Sequence, residues 1–447
     1  MASGKIRHRI SLACGIMLIA LTCAACSDDS NKIGSTVKGT RIAVMDSSKS
    51  IKPDSDLQPQ KPEMYEAQTN ANWPQAGFDS SHLEPNANIS EHPKEKWRSN
   101  LGAGSGSDYK LLARPVILDH RVYTMDAKGV VTAFDAKDGD SVWSFDTTPE
   151  DADDNEIGGG IGVDGDTVYA TTGFGEVLAL RASDGAVKWR QKLLDPLRAA
   201  PTIAEGHVYV VSIDNQLTAL DAKTGNILWH HNGIAESATL MGASNPAVVG
   251  DSVVVAYSSG EIFNLRAENG RVAWNYALTT PTQVGALPAI ADIRGLPVVD
   301  HGRVYAISHS GRMAAIDQRS GDRTWEADIG GINTPIVGVD TVFVLTNDGQ
   351  LAALTRESGR IIWVHDMQHL SDPDDHDSDP VFWSGPVLAG GKLWLTNSMG
   401  QLASFSLDGG NQIDTIEIGD DPILMPPVIA DGTIYVVTDN GYLVALR

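Results

Sequence analysis

Cysteine is nearly absent: the 447-residue chain has three, Cys14, Cys23 and Cys26, all close to its start. That excludes a disulfide framework for everything that follows them, whatever the compartment. Basic residues are also short, 34 Lys+Arg against 57 Asp+Glu, which leaves a formal charge of -23. So acidic a surface repels phosphate backbones, so no nucleic acid is expected as a partner. Aromatic residues are only 6%, and the apolar run at 12–21 is too short to read as a membrane-spanning helix. What is present is 42% hydrophobic residues with 20% charged, enough to bury a large core.

Residues 1–25 are laid out as an export signal, with Lys5, Arg7 and Arg9 ahead of the apolar run and small residues leading to Cys26. The end of this segment, Cys23-Ala24-Ala25-Cys26-Ser27, resembles a bacterial lipobox, although Cys23 stands where Leu is usual. The resemblance implies cleavage before Cys26, acylation of that cysteine (palmitate among its chains), and an outer-membrane address read from Ser27. Cys23 and Cys26 lack the following His of a haem attachment sequence. Residues 26–70 are rich in Ser, Asp, Lys, Pro and Gln and are expected to be a flexible periplasmic tether, ahead of a folded body at 71–447. Within the tether, 40–45 reads equally as a short docking strand or as an isolated apolar patch.

From residue 114 a unit recurs: two short β-rich runs, Gly-x-aliphatic-x-Ala-aliphatic, a polar turn ending in Gly, and Trp four residues later. GVVTAFDAKDGDSVW at 129–143 and NQLTALDAKTGNILW at 215–229 are clear copies. The Trp residues at 143, 189, 229, 274, 325 and 363 are 46, 40, 45, 51 and 38 residues apart. Such intervals fit blades of four short antiparallel strands, and period-two alternation punctuated by Gly and Asp turns argues against helical solenoids. A seventh copy at 400–410 lacks its Trp, and the chain stops halfway through an eighth. The segment around Trp97 can supply the missing outer strand, so the expectation is an all-β, eight-bladed propeller closed by an N-terminal strand.

Most repeated residues have structural work. Asp135, Asp221 and Asp317 can accept from turn amides, and Ala133, Ala179, Ala219 and Ala353 are expected to let sheets approach near the centre. Trp143, Trp189, Trp229, Trp274, Trp325 and Trp363 are expected to cover joints between blades, with Trp97 doing so for the eighth. Trp73 is expected to pack an incoming segment onto the ring, and Trp383 or Trp394 to compensate for the Trp missing from blade seven. The His and Asp residues of 365–379 and the acids of 150–156 match no complete metal-binding pattern and read as solvated loops.

The Trp pattern resembles the docking blades of quinoprotein-like propellers, which raises a quinone-dependent dehydrogenase as the enzymatic alternative. Resemblance to such enzymes implies adjacent cysteines and catalytic insertions, and the chain has neither. No catalytic, cofactor-binding or metal-binding residue is assigned, and no cofactor. Another envelope-binding propeller of the periplasm is the third reading. With lipobox, tether and eight blades together, 70–447 resembles the BamB family of outer-membrane assembly lipoproteins. That resemblance implies a noncatalytic scaffold docking to the periplasmic POTRA domains of BamA, with other components of the assembly machinery and unfolded outer-membrane proteins as further partners. It also implies partner contacts in two loops, at Ala238, Leu240 and Met241, and at Asp292 and Arg294. Met241 and Arg294 depart from the family's Arg and acid there. Local packing is the alternative to an interface for Leu240 and Met241, and a solvated turn or intramolecular pairing for Asp292 and Arg294.

Overall fold

The computed structural model describes residues 50–57, 61–152, 156–279 and 290–447, which fall in one compact unit, Ser50–Arg447. The expectations for residues 1–25, Cys26 and 40–45 lie outside the described residues.

Among the described residues, 32 strands form eight four-stranded sheets. Seven are consecutive blades, at 116–146, 159–192, 202–232, 247–277, 298–327, 336–366 and 383–417. The eighth combines 428–446 with Glu95–Asn100, which pairs antiparallel along the last strand, Trp97 opposite Ala445. Lys94 and Arg447 exchange both backbone hydrogen bonds, so the two ends of the body close the ring.

In five blades the repeat alanine sits directly across from the Trp of the outer strand, as in Ala133–Trp143 and Ala219–Trp229, with the register slipping just after the alanine. Its small side chain therefore makes room for an indole; the expectation that it serves close approach at the centre is corrected. Each Trp then reaches the next blade. Trp143 Nε1 donates to Ala182 O at 2.9 Å, Trp229 to Ala267 O at 2.8 Å and Trp363 to Leu407 O at 3.0 Å. Trp189, Trp274 and Trp325 do the same, and Trp97 closes the series on Ala136 O at 3.1 Å. The indole lies on the turn glycine: a Cβ on Gly139, whose φ is +78°, would come within 2.5 Å of Trp97. A side chain there is excluded twice, by φ and by space.

Blade seven has Thr415 opposite Ala403 where its siblings have Trp. Neither Trp383 nor Trp394 substitutes, since their indoles donate to Gln368 O, just after blade six, and to Ala389 O within blade seven, and not to blade eight. The physical reason is in the neighbour. A Trp at 415 would dock on the third turn of blade eight, and that blade has no such turn, because its outer strand, Glu95–Asn100, comes from the start of the ring rather than from a hairpin with Tyr442–Leu446.

Residues 63–90 run across the face where the first two strands of each blade are joined, and they hydrogen-bond to all eight blades. Glu63 and Tyr65 reach blades six and five, Asn70 blade eight, Trp73 blade one, Pro74 blade two and Ala87 blade seven. Gln75 both donates to and accepts from Ile203 of blade three, and Ser80 binds Val248 of blade four. Trp73 is fully buried and meets Phe78 edge-on at 5.3 Å. Residues 61–70, grouped with the tether by composition, are thus part of this strap, and 50–57 also touch blade six through Ile51 and Asp54.

Candidate docking face

The opposite face carries the loops that lead from the outer strand of one blade to the inner strand of the next. The innermost strands begin here, and residues from every blade line a funnel whose floor includes Ala76 of the strap. Large apolar side chains stand exposed in these loops: Ile234, Met241, Ile290, Phe382 and Leu424, with Phe382 at 62% and Ile234 at 60%. Aromatic and aliphatic groups displayed together by a rigid ring are the composition of a protein-docking surface.

Both loops singled out from sequence lie on this face. Ala238 and Met241 are exposed and Leu240 is half-buried. Asp292 is 3% exposed, which fits intramolecular pairing, one of the readings open to it from sequence, and not a solvated turn. Its Oδ2 accepts the Leu240 amide at 2.7 Å, and its own carbonyl accepts the His309 amide at 2.9 Å. Burial pushes its carboxyl above the usual range, while the Leu240 amide, Arg294 and His309 oppose that shift. Asp292 thus ties one loop to the other and fixes where Leu240 and Met241 point. Arg294 is half-buried at the funnel; burial lowers its pKa and Asp292 counters.

The funnel joins Arg294 to two residues that sequence reasoning missed, Arg114 and Arg198. These three arginines line it, and among the described residues no Asp or Glu does. Arg114 is anchored beneath, its Nη1 donating to Ala76 O at 2.7 Å and lying 3.5 Å from Glu84 of the strap. Burial drives the Glu84 carboxyl up to about 7 although Arg114 pulls the other way. Nearby His82, buried and neutral, donates from Nδ1 to Pro297 O at 2.9 Å, with burial lowering its pKa to about 4. A signal for the upper two arginines was available: Arg198 and Arg294 each stand three residues before a proline that opens an inner strand.

The acidic run after residue 365 spends its carboxylates locally. Asp372 and Asp375 accept from the amides of Asp374 and Asp377, and among the described residues no three His, Cys, Asp or Glu converge as metal ligands. Part of the run at 150–156 lies outside the described residues.

Comparison with known proteins follows the same lines. The chain is 29% identical over 374 residues to outer membrane protein assembly factor BamB of Salmonella typhimurium, covering 79% of this chain and 88% of that protein. The Escherichia coli protein of the same description is 27% identical over 369 residues, covering 78% and 87%. Among solved structures, BamB from Moraxella catarrhalis superposes with a TM-score of 0.68 at 19% identity, over 80% of this chain and all of that one. The quinohemoprotein alcohol dehydrogenase of Comamonas testosteroni gives 0.64 at 14% identity, over 84% and 80%, a likeness of fold alone. The family profile described as outer membrane protein assembly factor BamB matches residues 90–154 and 127–365, and with eight blades closed by a Trp-bearing N-terminal strand, the chain belongs to that family.

Proposed function

We propose that this protein is a noncatalytic periplasmic scaffold of the β-barrel assembly machinery, assisting the folding and insertion of outer-membrane proteins. The observation that carries this is the family match across residues 90–365. The chain is held at the outer membrane through acylated Cys26 and faces the periplasm. The open face docks on the POTRA domains of BamA, with Ala238, Leu240 and Met241 as an apolar centre and Arg294 beside it. Asp292 acts from below by holding the Leu240 backbone. A ring suits this role because neighbouring blades carry several loops on one rigid frame without any reacting group. Unfolded outer-membrane proteins and other machinery components are the further partners of such a scaffold.

Titration of the folded protein against the periplasmic region of BamA tests the docking. Leu240→Asp places an uncompensated charge in a desolvated contact and is expected to weaken the complex by about 2 kcal/mol or more, with circular dichroism unchanged. Wild-type affinity from a folded Leu240→Asp/Met241→Asp variant would show that another face docks. Mass spectrometry of the mature protein is expected to find an acylated N-terminal Cys26; an unmodified N-terminus elsewhere removes the anchor from the proposal.

A further inference from the structure

We infer that the axial funnel is a binding site for a compact oxyanionic group, a carboxylate or a phosphate, held between Arg198 and Arg294. The first observation is the distribution of charge. Acidic residues outnumber basic ones 57 to 34 in the chain, yet among the described residues the funnel lining holds three arginines and no acid. Chance placement on an acidic protein gives the opposite sign.

The second observation is that these cations have work left undone. Arg114 is largely committed, to Ala76 O, Pro427 O and Glu84. Arg198 and Arg294 are not: among the described residues no hydrogen bond or ion pair engages either side chain, and the Arg198 Nε is buried without an acceptor. The nearest acid, Asp292, has Oδ2 occupied by the Leu240 amide. Removing a guanidinium from water without giving it an acceptor costs stability, and an oxyanion with two oxygens to offer returns that cost through paired N–H···O bonds. Asn245 and Asn333, also in the lining, add side-chain amide donors.

Size and long-range charge set the ligand class. The funnel is closed beneath by the strap at Ala76, so a ligand enters from the open face and stops there. A long polyanion is repelled by the net charge of -23, whereas a single small group meets mainly the local field of the arginines. The group comes either free from solution or on an acidic side chain or chain end of a docked protein; both offer the same atoms.

Isothermal titration calorimetry of the full chain, without BamA, tests this independently of the docking reading. The probes are inorganic phosphate and a triglutamate peptide, in chloride buffer. One-to-one binding of at least one probe is expected, weakened about tenfold or more in Arg198→Gln/Arg294→Gln. It should be unchanged in Arg266→Gln, an exposed arginine paired with Asp251 elsewhere on the ring. Saturation by phosphate assigns a free anion, and saturation by triglutamate alone assigns a protein carboxylate. Should the double variant misfold, Thr334→Glu, which puts a carboxylate at the funnel wall, is expected to abolish binding with the arginines intact. No saturable heat from either probe at millimolar concentration, or binding retained in the folded double variant, overturns the site.

Discussion

The two faces of the ring are made by the same eight blades and have opposite chemistry. On the strapped face the chain ties its own polar groups to the blades, Gln75 with Ile203 in both directions, His82 with Pro297, and Tyr65 and Arg356 together on Asp300, although among the described residues Trp73 Nε1, Glu84 Oε2 and one oxygen each of Asn70 and Asn86 stay buried without a partner. On the open face large apolar side chains stand in water and, among the described residues, no acceptor engages the side chains of Arg198 and Arg294. The difference teaches that a propeller's turns have no intrinsic function. One side is finished by the chain itself, and the other is left for a partner.

The largest effect is expected where the strap is most deeply set. Trp73→Ala removes a fully buried indole from between the strap and blade one, and a loss of about 3–5 kcal/mol in urea unfolding is expected. An effect below 1 kcal/mol would mean that the strap is peripheral to the body's stability.

Next comes the pH response of the strapped face. His82 is depressed to about 4, so the unfolded chain binds the extra proton and stability is lost as pH falls from 6.5 toward 4, by about 3 kcal/mol at full protonation. Glu84 is raised to about 7, so the folded chain holds the extra proton and stability falls as pH rises from 4.5 through 7. The two slopes oppose each other between pH 4.5 and 6.5. His82→Gln is expected to add a downward slope with rising pH relative to wild type, and Glu84→Gln an upward one. Parallel curves for all three proteins would remove both groups from the pH response.

On the open face a smaller loss is expected from Asp292→Ala. It strands the Leu240 amide, at about 1–3 kcal/mol, and should weaken BamA binding through a displaced loop rather than a lost surface contact. The check is whether Asp292→Asn, which keeps an acceptor oxygen, restores most of the affinity.

The smallest effect tests the seam. Thr415→Trp restores the repeat pattern to blade seven, yet a change within about 0.5 kcal/mol is expected, because blade eight offers no turn to receive it. Stabilisation comparable to what Trp229→Ala removes would show that a dock exists there after all.

The architecture was legible because its signals are local and repeated. Gly, Ala and Trp recur at fixed spacing inside each hairpin, so blade number, the joints and the Trp97 closure could be read from sequence. The absent Trp of blade seven was visible, but its reason was not, since that depends on two chain ends meeting. Of the candidate face, both loops were named from sequence and intramolecular pairing was one of the readings open to Asp292, but its partner was not legible: nothing within 52 residues of Leu240 announces a hydrogen bond to its amide.

By itself, then, the sequence determined a closed ring of eight blades and the glycine turns on which the indoles rest, because each rests on backbone preferences and pairings within a few tens of residues. Only the tertiary structure decided which face is sealed. A strap with no period of its own threads across inner strands drawn from the whole chain, and Arg198 and Arg294, 96 positions apart, face one axis. Closure of the ring brings them together, and local sequence carries no trace of that distance.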